Sequence, residues 1–579
     1  MSRKLLLIIL IPALLLIGGY LFLRISLSRT IKKEEAVSGK VETIDSLGGK
    51  EVSAADLRPL FINRMQQVLR KSSNGLYDLS IGDLELDVLA STITLKDVAV
   101  KRNERAEEAL RKQNDLPENL IEASFKSLVI DGVNLDDAIT SKTMDYRMVK
   151  LVNPVIHVYK GQKQPTKKST EDFSQRFLKE MEKLSIKNLV IENGTIVAHG
   201  KASKTNRLND VDIHMTDILL DSNTREDQQR FLFAKNATIN FRNYTSQTAD
   251  GLYQFKIGKG SIQSPAQKLV LQDLSFASPL SREQFMKRQK LAKELYDFRL
   301  SSISLNKVDW WMLFNGEEIV ADEVMASGGK LTVYFDRSLP PRSRMGNFPN
   351  QLLAKLPFRM NIAKMRLQNL DLSYTEYSPV SKQNGTIYMD NISLDMQNIS
   401  NYTKKSMVVN GSALFMHTVP IQANFNFNMT APKTGAFTAT VSSSKAFEGN
   451  LLNSFSKPLG LMELEKGTLQ KLHATLKGDE SQANGTVTVL YNDLKIHLLE
   501  KDKGKKALDT KDVTSFLANL FVIKNDNPKK GKAPRVETAS FRRDPYGGFF
   551  MLIWKTMLVG ALKTMGAPEK IAYKKPKAQ

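Results

Sequence analysis

One phrase returns along the chain and restricts what it can fold into. A short polar residue precedes apolar residues two apart, as in Gly82-Asp83-Leu84-Glu85-Leu86, Lys126-Ser127-Leu128-Val129-Ile130, Asn209-Asp210-Val211-Asp212-Ile213, Gln272-Asp273-Leu274-Ser275-Phe276, Gln368-Asn369-Leu370-Asp371-Leu372 and Asp390-Asn391-Ile392-Ser393-Leu394. A period of two puts apolar and polar side chains on opposite faces of a strand. The fullest form, Ile186-Lys187-Asn188-Leu189-Val190-Ile191-Glu192-Asn193-Gly194-Thr195-Ile196, reads as a strand, a tight Asn-Gly turn and the start of the next strand. Irregular spacing between the phrases predicts a long serial antiparallel sheet rather than a fixed-repeat solenoid. The phrase alone fits any large antiparallel β protein equally well.

At 579 residues the chain has the length of several domains, yet no Pro/Gly/Ser-rich linker divides its middle. An elongated body is therefore expected. The absence of cysteine excludes disulfides, thiolate metal sites and a Cys nucleophile. The formal charge of +22 points to an anionic partner, either nucleic acid or a membrane surface. No aromatics interleave with a basic patch and no zinc, helix-turn-helix or RNA-binding signature occurs, so nucleic acid is not expected.

The N-terminus favours the membrane. Leu5 to Leu23, including Leu10 and Leu16, is an uncharged apolar run between Arg3-Lys4 and Arg24, Arg29, Lys32 and Lys33. At 1.5 Å per residue it just spans a hydrocarbon core of about 30 Å. Its exit, Phe22-Leu23-Arg24-Ile25, lacks the small residues of a cleaved signal, so it reads as an uncleaved signal anchor. The short tail is placed in the cytoplasm and the large body outside, although the positive-inside count does not favour that orientation.

Residues 1–30 are thus the anchor and its flanks, and 31–56 a polar stalk. Asp56 to Arg70 has helical apolar spacing, and the strands Tyr77–Val88 and Ser91–Val100 follow. Lys101 to Asn114 is a charged insertion, read as an exposed helix or lid that Pro117 ends. In Ser124–Tyr159, an "apolar-x-Gly-Val-Asn-Leu" strand, the segment Tyr146-Arg147-Met148-Val149-Lys150 and the strand Pro154-Val155-Ile156-His157-Val158-Tyr159 succeed one another. A polar linker from Lys160 leads to an amphipathic helix with Phe173, Phe177, Met181 and Leu184 on one face, then to the Ile186 unit. That succession resembles the AsmA-like family of bacterial envelope proteins, relatives of TamB and of bridge-like lipid-transfer proteins.

Further along, turns are expected at Asp221-Ser222-Asn223, Asp250-Gly251 and Gly258-Lys259-Gly260. A helix is expected over Ser281–Phe298, opened by a Ser281/Gln284 capping box. Trp310, Trp311, Met312, Leu313 and Phe314 read as core packing beneath a turn rather than as a ligand contact. The loop Ser338–Pro349 reads as a break in the sheet, dividing an N-terminal part of the groove (57–340, with helical insertions) from a C-terminal part (341–505). Strands are expected at Pro357–Tyr374, Gly385–Met396, Ser406–Phe415, Ile421–Met429, Gly435–Val441, Gly467–Lys477 and Ala483–Leu499. The span Phe437–Leu499 is the part most similar to the AsmA-like C-terminal region.

A search for catalytic chemistry finds little. His157, His199, His214, His417, His473 and His497 are scattered singly, without paired metal spacing. No Gly-x-Ser-x-Gly elbow, Walker loop or dinucleotide fingerprint stands in a strand-to-helix context. The carboxylates Asp136-Asp137 and Glu317-Glu318 alternate faces on a strand, and nothing sets them about a sugar. No catalytic residue, metal site or cofactor is assigned.

Residues 506–579 read as amphipathic helices and a basic tail. Lys511–Lys524 is amphipathic, and Phe549–Met565 is apolar but interrupted by Lys555 and Lys563, with Trp554 beside the first. A lysine at mid-depth costs several kcal/mol in a spanning helix, so an interfacial or sheet-capping helix is expected. Phe549, Phe550, Trp554, Lys555 and Lys563 are the candidate membrane contacts, to the outer membrane or another envelope protein.

A long sheet with few helices cannot cover one apolar face with its own elements. The fold expected is therefore mainly β: a transmembrane helix, then an elongated, curled antiparallel groove of roughly 18–22 strands, with a few amphipathic helices and a C-terminal helix. The resemblance implies a taco-like groove and phospholipid movement between inner and outer membranes. Groove-facing candidates are Leu84, Leu86, Leu370, Leu372, Phe425, Phe427 and Met429; the last three alternate with Asn424, Asn426 and Asn428. The reading is a non-enzymatic, single-pass inner-membrane protein of a Gram-negative bacterium, with its body in the periplasm and phospholipids as partners. An assembly factor for outer-membrane biogenesis and an exported enzyme are the competing classes.

Overall fold

The computed structural model describes residues 54–567, apart from 88, 118, 133–142, 162–181, 201–204, 225–226, 249, 316–317, 501–508 and 511–523. The anchor with Leu5, Leu10, Leu16 and Leu23, the stalk, the helix expected around Phe173–Met181, nearly all of Lys511–Lys524 and the basic tail lie outside the described residues. The fold is mainly β with few helices, and it divides into two compact units.

Unit 1 comprises residues 1–247, 256–271 and 309–317. It opens with α1 (Ala54–Ser72) and the hairpin β1 (Tyr77–Asp87) and β2 (Thr92–Arg102). Next come α2 (Glu104–Lys112), β3 (Asn119–Asp131), β4 (Thr143–Val152), β5 (Val155–Lys160), β6 (Lys183–His199), β7 (Thr205–Leu220) and β8 (Asn236–Gln247). Helix α2 is capped by Asn103, whose side chain accepts the Ala106 N–H at 3.1 Å. It buries Leu110 against Leu76, Leu116 and Leu120 and leaves most of its other residues exposed, so of the two readings the exposed helix is the one found. The strands β4 and β5 each pair antiparallel with β3 and parallel with β6, forming one strand interrupted at Asn153-Pro154. Pro154 has no N–H to give the ladder, and Asn153 takes φ 50°. Leu184, assigned by its spacing to a helix face, stands instead in β6, opposite Leu220.

The Asn193-Gly194 turn is corrected as well. Strand β6 runs unbroken from Lys183 to His199, and Asn193-Gly194 is a bulge within it, with register shifts against β7 on either side of Gly194. The same device underlies four of the recurring phrases, those with Asp210, Asp273, Asn369 and Asn391. Asp97, Asn193, Asp210, Asp217, Asp273, Asn369, Asn391 and Asp493 all stand inside strands at left-handed φ between 47° and 57°. Asn and Asp tolerate that conformation far better than branched residues do. The extra residue turns an apolar spacing of two into three, as in Leu95/Val98, Leu208/Val211, Met215/Ile218 and Tyr491/Leu494, while keeping both members of each pair buried. A carboxylate takes up the backbone N–H freed at three of these bulges: Asn193 to Asp212 at 2.9 Å, Asn391 to Asp371 at 3.0 Å and Asp493 to Asp526 at 2.9 Å.

The hairpin β9 (Gln254–Gln263) and β10 (Lys268–Ala277) follows β8. Gly258-Lys259-Gly260 is strand rather than turn. A Cβ on Gly260 would fall 2.0 Å from the ring of Phe241, so glycine there leaves room for that ring. The helix Trp310–Asn315 packs Trp310 and Phe314 edge-on against Phe231, with ring centroids 5.4 and 5.1 Å apart, as core.

Unit 2 comprises residues 248–255, 272–308 and 318–579. The Ser281 capping box is present, but its helix ends at Lys287; an irregular stretch over 288–294 follows, and β11 (Leu295–Asn306) takes the end of the predicted helical span. Strand β11 pairs antiparallel with β12 (Glu318–Asp336), and β12 pairs parallel with β13 (Arg359–Ser378). The loop read as a break is the crossover between them, running from Arg337 to Phe358 through a short helix at Pro349–Ala354. Parallel neighbours need such a long connection, so each unit's sheet is mixed rather than wholly antiparallel. From β13 the chain continues as antiparallel neighbours β14 (Gln383–Ser400), β15 (Met407–Phe415), β16 (Val419–Phe427) and β17 (Phe437–Ser443). After the two-residue β18 (Phe447–Glu448) and α3 (Asn453–Gly460) come β19 (Met462–Gly478), β20 (Gln482–Glu500), the two-residue β21 (Asp509–Thr510) and β22 (Glu537–Arg542). Helix α4 (Phe549–Thr564) ends the described chain.

Candidate functional site

Register defines one face of unit 2. Leu372 lies opposite Met389, Met389 opposite Phe415, Val409 opposite Phe425, and Met407 opposite Phe427. These side chains share a face, with Phe437, Ala439, Leu476 and Val487 continuing it. On the reverse side Asn424 and Asn426 are exposed, as the alternation predicts.

Helix α4 closes part of this face. Phe549 sits with its ring centroid 5.0 to 5.7 Å from those of Phe348, Phe425, Phe427 and Phe437. About three turns further, Gly560 lets the helix touch β20, because a Cβ there would lie 2.4 Å from Val487 Cβ. The chain entering α4 is held by Arg543, which donates to the Arg344 carbonyl at 2.6 Å and to Gly547 at 3.1 Å, pairs with Glu480 at 3.3 Å, and lies 4.2 Å over Phe348. Helix α3 covers another part: a Cβ on Gly385 would meet Leu459, and Phe455 packs against both Phe415 and Trp554. Along this face runs a half-buried apolar band of Leu372, Met389, Val409, Phe415 and Phe425, with Phe415 at the edge of α3 and Phe425 at the edge of α4.

The groove candidates therefore divide. Leu84 in unit 1 and Leu370, Phe427 and Met429 in unit 2 are core residues, whereas Leu86, Leu372 and Phe425 remain half-buried. The C-terminal set divides too. Phe549 is in the core, Phe550 is 71% exposed, and Trp554 is exposed beside it. Lys563 donates to the Thr538 carbonyl at 2.8 Å, and Lys555 is half-buried.

Charged groups gather where β13 and the crossover meet this face. Tyr374 donates to Glu376 Oε2 at 2.7 Å, and Arg337 donates to Glu376 Oε1 at 3.1 Å. Burial pushes the Tyr374 hydroxyl well above its ordinary range, and the Glu376 carboxylate beside it adds to the shift. Arg344 reaches Glu294 at 2.6 Å, while Tyr253 donates to the Glu294 carbonyl at 2.6 Å and burial pushes it up to about 12. Sequence spacing gave no signal for this gathering, since the crossover and α4 bring it together.

In unit 1 the structure joins two histidines that the sequence leaves apart. Parallel pairing of β5 with β6 brings His157 Nδ1 within 2.9 Å of His199 Nε2. Tyr159 stacks on His199 at 4.2 Å, Arg102 lies 4.0 Å over Tyr159, and Tyr159 donates to Glu122 at 3.0 Å. Burial holds the His199 imidazole below its ordinary value, and His157 and Arg102 lower it further against the opposing Glu122. No group of three or more His, Cys, Asp or Glu arranged to hold a metal occurs among the described residues. Likewise, no described helix is long and apolar enough to cross a membrane.

No family model matches the chain, and no curated protein matches it.

Proposed function

We propose that this chain is an AsmA-like envelope protein, anchored by Leu5–Leu23, that binds phospholipid acyl chains on the apolar face of its sheet and passes them toward the outer membrane. The observation that carries this reading is the half-buried band of Leu372, Met389, Val409, Phe415 and Phe425, set on a face that α3 and α4 close only in part, with Phe415 and Phe425 at their edges. An apolar band of this kind on a protein surface marks a binding surface, and acyl chains match its chemistry. The exposed Phe550 and Trp554 on α4, with the basic residues that follow, support contact of this end with an anionic membrane surface.

Lipid co-purifying with the full-length protein, quantified by mass spectrometry, tests the reading. The double substitution Leu372→Asp/Phe425→Asp should deplete it, while Asn424→Asp/Asn426→Asp on the reverse face should leave it unchanged. Equal lipid in both variants would instead favour an assembly factor whose sheet packs on other proteins.

A further inference from the structure

Lys555 is the anomaly of α4. It stands in the middle of an apolar helix, half-buried, and makes no hydrogen bond or ion pair among the described residues. The charges that act on it are those of Arg337 and Glu376. Both oxygens of Glu376 are already engaged, one by Arg337 at 3.1 Å and the other by the Tyr374 hydroxyl at 2.7 Å. One carboxylate thus stands against two cations, and its acceptor positions are directed at Arg337 and Tyr374. Burial lowers the Lys555 ammonium below its ordinary range, and Arg337 lowers it further against the opposing Glu376, whose carboxylate is already hydrogen-bonded to Arg337 and Tyr374. A half-buried ammonium without a partner is costly unless something supplies that charge. The same β13 face carries Leu372, two residues before Tyr374 and part of the half-buried band.

We infer that Lys555 and Arg337 form a phosphate-binding site at the margin of the apolar band, placed to take the phosphate of a lipid whose acyl chains lie along Leu372 and Phe425. Lys555 provides a rotatable donor and Arg337 keeps N–H groups beyond the one given to Glu376. The inference rests on the acyl-chain reading above for the source of the phosphate, but the anion site itself does not. A free phosphate or phosphate monoester has the same chemistry.

The test uses full-length protein, wild type, Lys555→Met and Lys555→Arg, irradiated with phosphatidylglycerol or diacylglycerol bearing the same photoreactive acyl chain. Phosphatidylglycerol labelling should fall by roughly tenfold in Lys555→Met, the size of one charge-assisted contact, and recover in Lys555→Arg. Diacylglycerol labelling should be equal in all three, and Lys555→Met should melt no lower than wild type, because the helix loses an unpartnered charge. Calorimetric titration with inorganic phosphate separates the sources. Heat that disappears in Lys555→Met assigns free phosphate, whereas silence together with Lys555-dependent lipid labelling assigns a headgroup. Labelling by both lipids that ignores residue 555, with no phosphate heat, overturns the site and leaves the acyl-chain reading standing. If neither lipid labels the wild type, the acyl-chain reading falls, and the phosphate titration alone decides the site.

Discussion

Replacing Asn193 or Asn369 by valine raises strand propensity but removes what the position requires, because a β-branched residue pays roughly 1–2 kcal/mol to hold left-handed φ. Denaturant unfolding should show that loss for Asn193→Val and Asn369→Val, and little change for the corresponding glycine variants. Equal losses with glycine would mean that the side chain, not the backbone, sets the cost. His199 allows a second prediction at this scale. Its folded value lies below the ordinary one near 6.5, so below that pH the unfolded chain binds the extra proton more readily. Stability should therefore rise with pH from the lowered folded value up to about 6.5 and then level off. Thermal melts between pH 5 and 7.5 should show this slope flattened in His199→Gln; an unchanged slope would exclude the imidazole as its source. These residues also show where sequence reading stops. An Asn-Gly hairpin turn and an Asn-Gly bulge both demand positive φ, so the local sequence does not separate them. His157 and His199 meet only through a parallel pairing, for which no local pattern exists.

Among the elements, the expected strands of the second half were legible to within about five residues at each end, because one exposed polar face leaves a clean period of two. Pro357–Tyr374 became Arg359–Ser378, and Ala483–Leu499 became Gln482–Glu500. The helix expected over Ser281–Phe298 failed differently: its capping box was real, but the helix ends at Lys287 and β11 takes the chain from Leu295, where tertiary pairing overrides local preference. Helix α4 was legible as apolar, too charged to span and either interfacial or sheet-capping, while the contact that docks it was not, since it depends on Gly560 meeting Val487 of β20. Gly560→Leu should overpack that contact and cost about 1–3 kcal/mol. Removal of residues 545–579 should expose Phe427, Phe437 and Val487 and cause aggregation. A monodisperse truncated protein in sedimentation would show that α4 is not needed to close the face.

At the scale of the whole molecule, the boundary drawn from sequence at residue 340 falls inside unit 2, because a proline-rich loop is as suited to a crossover as to a linker. What remains legible from composition is the asymmetry of the chain: an uncharged run at one end, a basic segment at the other, and strands between. The proposed topology predicts that protease added to spheroplasts digests the body beyond residue 57 while a cytoplasmic marker survives. Survival of the body along with the marker would place it in the cytoplasm.

The central claim is that one face of the sheet holds acyl chains. A photoreactive amino acid placed singly at positions 372, 409 and 425, and at 424 and 426 on the reverse face, tests it most directly in cells fed radiolabelled lipid precursor. The account predicts lipid adducts from 372, 409 and 425 and none from 424 and 426. Adducts from both faces alike, or from neither, would contradict it.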